Sequence, residues 1–148
     1  MSFSTITTRS NGQLVDYSWF EALKAAGVAL EGFTGSGYIG ETSMTLANGQ
    51  ASAADVTGLV LSAASYTGAI IYMQIRRKTG TNEVIANGLV KIFYRQNTTT
   101  WEIIDELSGD YTGVTLSITS AGQVQYVSDT LAGSTYVGLL SYKAMSFA

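Results

Sequence analysis

The stretch that decides the fold is Ala69-Ile70-Ile71-Tyr72-Met73-Gln74-Ile75-Arg76, near the middle of the chain. Its side chains alternate with a period of two, which is the pattern of a β-strand. One predicted face carries Ile71, Met73 and Ile75, and the other carries Ile70, Tyr72 and Gln74. The turn-forming residues Thr79-Gly80-Thr81-Asn82 follow and predict a reversal into a strand at Glu83–Ala86. The centre of the chain therefore predicts a β-hairpin.

The same period recurs on both sides of this hairpin. Further strands are predicted at Ser43–Leu46, Gly58–Ser62, Leu89–Arg95, Trp101–Leu107, Val114–Ile118, Gln123–Val127 and Tyr136–Lys143. Ser120-Ala121-Gly122 is a tight turn between two of them. About eight short strands at regular spacing predict a mainly β chain folded as an antiparallel β-sandwich or jelly roll. The chain contains no proline, a common guard of edge strands, and oligomerisation is another way to cover such edges.

The N-terminal segment has a different pattern, with a polar arm followed by one short helix. Ser18-Trp19-Phe20-Glu21 fits a capping box, and Gly27 stands where a left-handed residue would end the helix. A helix of about ten residues is marginal alone in water, so its aromatic stripe must pack on something. Either the β-domain of the same chain or another protein can supply that surface. The residues predicted to dock on a partner are Val15, Tyr17, Trp19, Phe20 and Leu23.

These patterns divide the chain into three parts. Residues 1–33 form a docking arm with its helix, residues 34–42 form a Gly-rich linker, and residues 43–148 form the β-sandwich domain.

Composition excludes several function classes. The 148 residues include no His and no Cys, so a Ser-His-Asp triad, a cysteine nucleophile and an imidazole zinc site are all impossible. A net charge of −3 leaves no basic stripe for nucleic acid. Neither a signal peptide nor a membrane span is visible, so we expect a soluble protein made in a cytoplasm. We expect no enzyme activity, no cofactor and no metal.

Carboxylate chemistry is the enzyme alternative that composition leaves. Glu102 and Glu106 share a strand face, but they would lie about 13 Å apart along the strand, whereas glycosidases need about 5–10 Å. We therefore interpret this acidic cluster as a solvated strand edge. A calcium site at Asp105, Asp110 and Asp129 is a further alternative that no loop spacing supports.

Three residues are candidates for direct ligand contact. Arg76 and Arg77 begin the basic run Arg76-Arg77-Lys78, which is predicted to be a solvated hairpin end and could alternatively contact an anion or lipopolysaccharide. Tyr111 lies in the loop Ser108–Gly113 and is the tyrosine most expected to be exposed. Tyr and Trp side chains stack on sugar rings and anchor interfaces. This favours carbohydrate recognition as an alternative function, with structural packing as the plainer role of Tyr111.

Two regions resemble virion proteins of tailed bacteriophages. Asn11–Gly27 resembles the N-terminal attachment segments of fibre-like appendages. The second region is similar to a β-module of phage structural and tail proteins, and it comprises Ala53–Leu59, Val90–Arg95, Trp101–Ile103, Gly113–Thr119, Gly122–Tyr126 and Leu131–Gly138.

This resemblance implies a virion component, trimeric and attached through residues 1–33 to a capsid or tail protein. A head fibre, a capsid decoration or a tail adaptor fits the length of the chain. The alternative is a carbohydrate-binding receptor module that contacts a host surface glycan.

Overall fold

The computed structural model describes residues 38–148. The predicted arm and helix, with Val15, Tyr17, Trp19, Phe20 and Leu23, lie outside the described residues and stay predictions. Among residues 38–148, no helix is long and apolar enough to cross a membrane.

The described chain forms eight strands in two antiparallel sheets, which confirms the mainly β prediction. The strands are β1 (Tyr38–Thr45), β2 (Ala54–Val60), β3 (Gly68–Lys78), β4 (Glu83–Arg95), β5 (Thr100–Gly109), β6 (Val114–Ile118), β7 (Gln123–Ser128) and β8 (Val137–Phe147). One sheet has the order β1-β8-β3-β4-β5, and the other has the order β2-β7-β6. Because β1 begins at Tyr38, it extends into the range 34–42 that the sequence assigned to a linker.

Alternating side chains build the core between the two sheets. In β3, Ile71, Met73 and Ile75 are buried, as their spacing predicted. They pack in one cluster with Val56 of β2 and Val124 of β7, so residues from both sheets share a single core. The two sheets also share polar contacts, because the Tyr142 hydroxyl on β8 donates to the carbonyl of Thr57 on β2 at 2.7 Å.

One difference from prediction concerns β4, which is a single strand of 13 residues where the sequence indicated two short ones. Gly88 lies at the predicted break, yet both neighbouring strands pair across it, with Met73 on one side and Leu107 on the other. A Cβ at Gly88 would collide with the carbonyl oxygen of Glu106. The glycine therefore allows a close approach of β5 rather than ending the strand.

The predicted hairpin turn at Ser120-Ala121-Gly122 joins β6 to β7. The Gly122 amide donates to the Thr119 carbonyl at 2.9 Å, and the Leu61 amide donates to the Gly122 carbonyl at the same distance. Gly122 has φ +82°, and a Cβ there would collide with the Leu61 carbonyl and lie 2.9 Å from Nε1 of Trp101. The turn therefore closes over the buried Trp101, whose ring packs 4.9 Å from that of Tyr94.

Candidate binding face

The face of the five-stranded sheet that points away from the core, called here the outer face, carries most of the exposed apolar side chains. Eight large apolar residues of the described chain are exposed, and six of them lie on this face: Tyr72, Ile104, Val137, Leu139, Met145 and Phe147. Exposed apolar groups that lie together mark interaction sites on soluble proteins. The outer face is therefore the candidate binding face.

Eight charged side chains on the outer face are paired across neighbouring strands, whereas Lys78, which lies on the same face opposite Val137, is in no ion pair within residues 38–148. The pairs are Arg76–Glu83 at 2.6 Å, Lys91–Glu106 at 2.7 Å, Arg95–Glu102 at 2.5 Å and Lys143–Glu41 at 3.2 Å. All eight side chains are well exposed, so water screens each pair and the pairs contribute little to stability. Their larger consequence is that four positive and four negative charges cancel locally.

A recess of about 450 Å³ lies at the centre of the outer face, over β8, β3 and β4. Strand register builds it from two adjacent cross-strand rows. In one row, Gln74 lies opposite both Ser141 and Asn87; in the next, Tyr72 lies opposite both Lys143 and Leu89. The complete lining is Glu41, Tyr72, Met73, Gln74, Asn87, Gly88, Leu89, Ser141, Tyr142 and Lys143.

The recess offers uncharged polar groups beside an exposed aromatic ring. Tyr72 is 65% exposed. The side-chain amides of Gln74 and Asn87 have no hydrogen-bond partner within residues 38–148, so their donors and acceptors are open to a ligand. The Ser141 hydroxyl is held by the hydroxyl of Ser43 at 2.7 Å. An aromatic surface with a few convergent polar groups is the usual make-up of a small-ligand site.

Next to the recess, one end of the outer face is more apolar and is called here the apolar corner. It consists of Ile70, Phe93, Ile104, Met145 and Phe147. Register brings them together, because Met145 and Ile70 are direct partners and Lys91 links Ile70 to Ile104 in the same row. The guanidinium of Arg95 lies 5.2 Å from the centre of the Phe93 ring and borders this corner.

Of the three predicted ligand contacts, Arg76 lies on the outer face. Its Nε donates to the Glu83 carboxylate at 2.7 Å, across the β3–β4 hairpin. Both side chains are about half exposed. Arg76 is thus at a solvated hairpin end, as the sequence indicated, and its contact with a ligand stays a prediction.

Arg77 is placed differently, because its side chain points into the fold and is only 1% exposed. The expectation that the whole basic run is solvated is wrong at this position, since β3 alternation turns every second side chain inward. Its Nη1 donates to the Thr112 carbonyl at 2.5 Å, and its Nη2 donates to Oδ1 of Asn48 at 2.9 Å and to the carbonyl of Asp129. Its Nε donates to the Tyr136 hydroxyl at 3.1 Å. The guanidinium therefore joins loops and presents no surface for a ligand.

Tyr111 is exposed, as predicted, at 84% of its surface. Its hydroxyl donates to Oδ2 of Asp129 at 3.0 Å. That hydrogen bond, together with the negative charge of Asp129, raises the pKa of Tyr111 above its usual value. Tyr111 lies in a loop next to Asp129, whose backbone carbonyl accepts a hydrogen bond from Arg77. It does not line the recess. Its ligand contact stays a prediction.

The acidic residues considered for chemistry have other partners. Glu102 and Glu106 form two of the outer-face ion pairs, and Asp110 accepts a hydrogen bond from the Ile85 amide at 3.0 Å. Within residues 38–148, no group of three or more acidic side chains is arranged to hold a metal ion.

Sequence reasoning missed the four recess residues Tyr72, Gln74, Asn87 and Ser141. The alternation of β3 did place Tyr72 and Gln74 on one face. Ser141 lies on a strand 67 positions from Gln74 in the sequence, and only the register of β3 with β8 makes them neighbours. The sequence does contain polar residues that interrupt an apolar strand face. This pattern indicates a site only when the strand order is known.

No protein-family model matches the chain, and no curated protein matches it either. Among solved structures, the chain is similar to that of the Acinetobacter phage vB_ApiP_P1 tailspike protein, with 14% sequence identity and a TM-score of 0.40 over 95% of the chain. The chain spans 24% of the length of that protein. This likeness is weak; it is to a phage structural protein and assigns no role to the chain.

Proposed function

We propose that this protein is a structural subunit of a bacteriophage particle, as a head fibre, a capsid decoration or a tail adaptor. Residues 1–33 dock on a capsid or tail protein, and the β-sandwich associates with further copies of itself, as a trimer. The resemblance of Asn11–Gly27 to attachment segments and the mainly β fold support this proposal. The apolar corner is the structural observation that carries it.

The apolar corner favours association because its side chains are costly to leave in water. Ile104, Met145 and Phe147 are each between 43% and 47% exposed, so a partner can still remove much of their apolar area from water. Apolar burial contributes about 25 cal/mol for each Å². Apolar patches of this kind are often contact sites on proteins, which supports a partner at this corner.

The occupant that we propose for the corner is a second copy of this chain. Lys91 lies within the corner, between Ile70 and Ile104, and Glu102 lies opposite Phe93. Both charges are matched within one subunit, by Glu106 and Arg95 respectively. The corners of three copies can therefore meet around a threefold axis without leaving an unpaired charge at the contact. A strongly charged partner would instead have to break these pairs or lose the solvation of its own charges.

The size of the corner indicates that this contact is weak alone. Two residue rows across four strands cover roughly 300 Å², whereas a stable interface needs about 800 Å² from each partner. We therefore expect an oligomer that dissociates on dilution. On a particle, docking through residues 1–33 would raise the local concentration of subunits and so strengthen association.

The test is the mass of the full-length protein in solution, measured by analytical ultracentrifugation over a range of concentrations. The wild-type protein is expected to shift from monomer to trimer as concentration rises. The Ile104→Thr/Met145→Thr variant is expected to remain monomeric, because threonine keeps the strand propensity and removes the apolar surface.

Val60→Thr is the matched control, since Val60 is 54% exposed but lies on β2, away from the corner. It should associate like the wild type. A wild-type protein that stays monomeric throughout, or a corner variant that associates as well as Val60→Thr, overturns the proposal.

A further inference from the structure

We infer that the central recess of the outer face is a binding site for an uncharged saccharide. The inference goes beyond the proposed function, because it concerns residues outside the apolar corner and does not require the protein to associate. It rests on the ring of Tyr72, on two unpartnered carboxamides and on the charge balance at the rim.

Tyr72 supplies the surface on which a sugar ring can stack. It stands on the outer face of β3 between Lys143 and Leu89, and 65% of its surface is open to solvent. A pyranose ring has one face made mostly of C–H groups, which an aromatic ring can cover. Tyrosine suits this role because it is rigid and amphipathic, with an apolar body and a polar tip.

Gln74 and Asn87 supply matching hydrogen bonds one row further along the strands. They are direct cross-strand partners, so their carboxamides lie side by side on the same face. Each carboxamide has both a donor and an acceptor, as neighbouring sugar hydroxyls do. Neither side chain is bonded within residues 38–148, so a saccharide replaces only water there.

The charges at the recess favour a neutral ligand. Lys143 and Glu41 are the charged side chains of its lining, and their Nζ and Oε2 atoms lie 3.2 Å apart. This pair leaves no net charge to attract a carboxylate or phosphate on a ligand.

The shape of the recess sets the expected strength of binding. It is broad and open rather than enclosed, so most of a bound sugar stays in contact with water and the dissociation constant should be about millimolar. Gly88 helps to form its floor, and a side chain there would collide with the carbonyl of Glu106 on β5. Several copies on one particle would convert weak single contacts into firm attachment.

The experiment is an NMR titration of the ¹⁵N-labelled full-length protein with lactose, maltotriose and N,N′-diacetylchitobiose, and with 3′-sialyllactose as the acidic counterpart of lactose. At least one neutral sugar is expected to shift the amide signals of Gln74, Asn87 and Ser141. The Tyr72→Ala variant should bind it about tenfold more weakly, because the stacking surface is lost. Gln74→Met, which keeps the bulk but not the amide, should also weaken binding.

Tyr111→Ala is the control, since Tyr111 is the more exposed tyrosine yet lies outside the recess, and it should bind like the wild type. The inference is overturned if none of the neutral sugars shifts the recess signals. It is also overturned if Tyr72→Ala binds as well as Tyr111→Ala, or if 3′-sialyllactose binds more tightly than lactose.

Discussion

Nη2 of Arg77 donates a hydrogen bond to Oδ1 of Asn48 at 2.9 Å, which joins the inner side of β3 to the loop that follows β1. The same Asn48 oxygen accepts from the Leu131 amide at 2.8 Å, so a third segment is held at this point. Arg77 lies near the C-terminal end of β3, whereas Ile70 of the apolar corner lies near its start. The loops are thus fixed at one end of the sheet, and the apolar corner lies at the other.

Replacing Arg77 should destabilise the fold strongly. Arg77→Met keeps the length of the side chain but leaves the Thr112 and Asp129 carbonyls and the Asn48 oxygen without this donor. Leaving a buried acceptor without its donor costs about 1–3 kcal/mol. Urea unfolding of the full-length protein, followed by circular dichroism, measures this loss.

Arg76→Met is the matched control for this change. Arg76 is adjacent in sequence, but its side chain is half exposed and forms one surface ion pair, so the expected loss is at most about 1 kcal/mol. Equal losses of stability in the two variants would contradict the structural role assigned to Arg77.

Gly122→Ala should destabilise the β6–β7 hairpin. At φ +82° an L-residue is strained, and the new methyl group would press on the Leu61 carbonyl and on the Trp101 indole. Strain and overpacking together are expected to cost about 2–4 kcal/mol in the free energy of unfolding. In a Trp19→Phe background, which leaves Trp101 as the one tryptophan of the sequence, fluorescence should report the loosened contact as a red shift of the emission.

Gly40→Ala is the comparison for this prediction, because a Cβ at Gly40 meets no atom within 4 Å. Its unfolding free energy should stay within about 0.5 kcal/mol of the wild type. A Gly122→Ala protein as stable as Gly40→Ala would show that the turn relaxes without cost.

Local sequence patterns predicted much of the β-domain for a physical reason. The period of two in Ala69–Arg76 reflects burial of one strand face, and the structure buries Ile71 and Ile75 accordingly. The Ser120–Gly122 turn was predictable because the tight turn requires a positive φ, which glycine adopts without strain. Such features depend on residues that are close in sequence.

Features that depend on distant residues were not predictable in this way. The burial of Arg77 follows from alternation, but its cost is offset by groups near residues 48, 112, 129 and 136, which only the folded chain assembles. The recess likewise requires the β8-β3-β4 order, which no local pattern specifies. On the basis of charge alone, the whole run Arg76-Arg77-Lys78 was predicted to be solvated. In the structure, its middle residue Arg77 is buried.

The pairing of charges at the apolar corner and at the recess links the two proposals. The Lys91–Glu106 and Arg95–Glu102 pairs at the corner and the Lys143–Glu41 pair at the recess leave neither place with a net charge that would select a charged partner. An apolar corner and a polar aromatic recess can then serve different contacts on the same sheet.

The most direct test of this account is the reactivity of single cysteines in the assembled protein. The chain contains no cysteine, so Ile104→Cys in the corner, Val60→Cys on the other sheet and Tyr72→Cys in the recess each create a unique site for a maleimide. When the protein is concentrated enough to associate, the cysteine at position 104 should react much more slowly than in dilute protein, while those at 60 and 72 keep their rates. Equal reactivity at 104 and 60 in a sample shown by mass to be oligomeric would contradict the account.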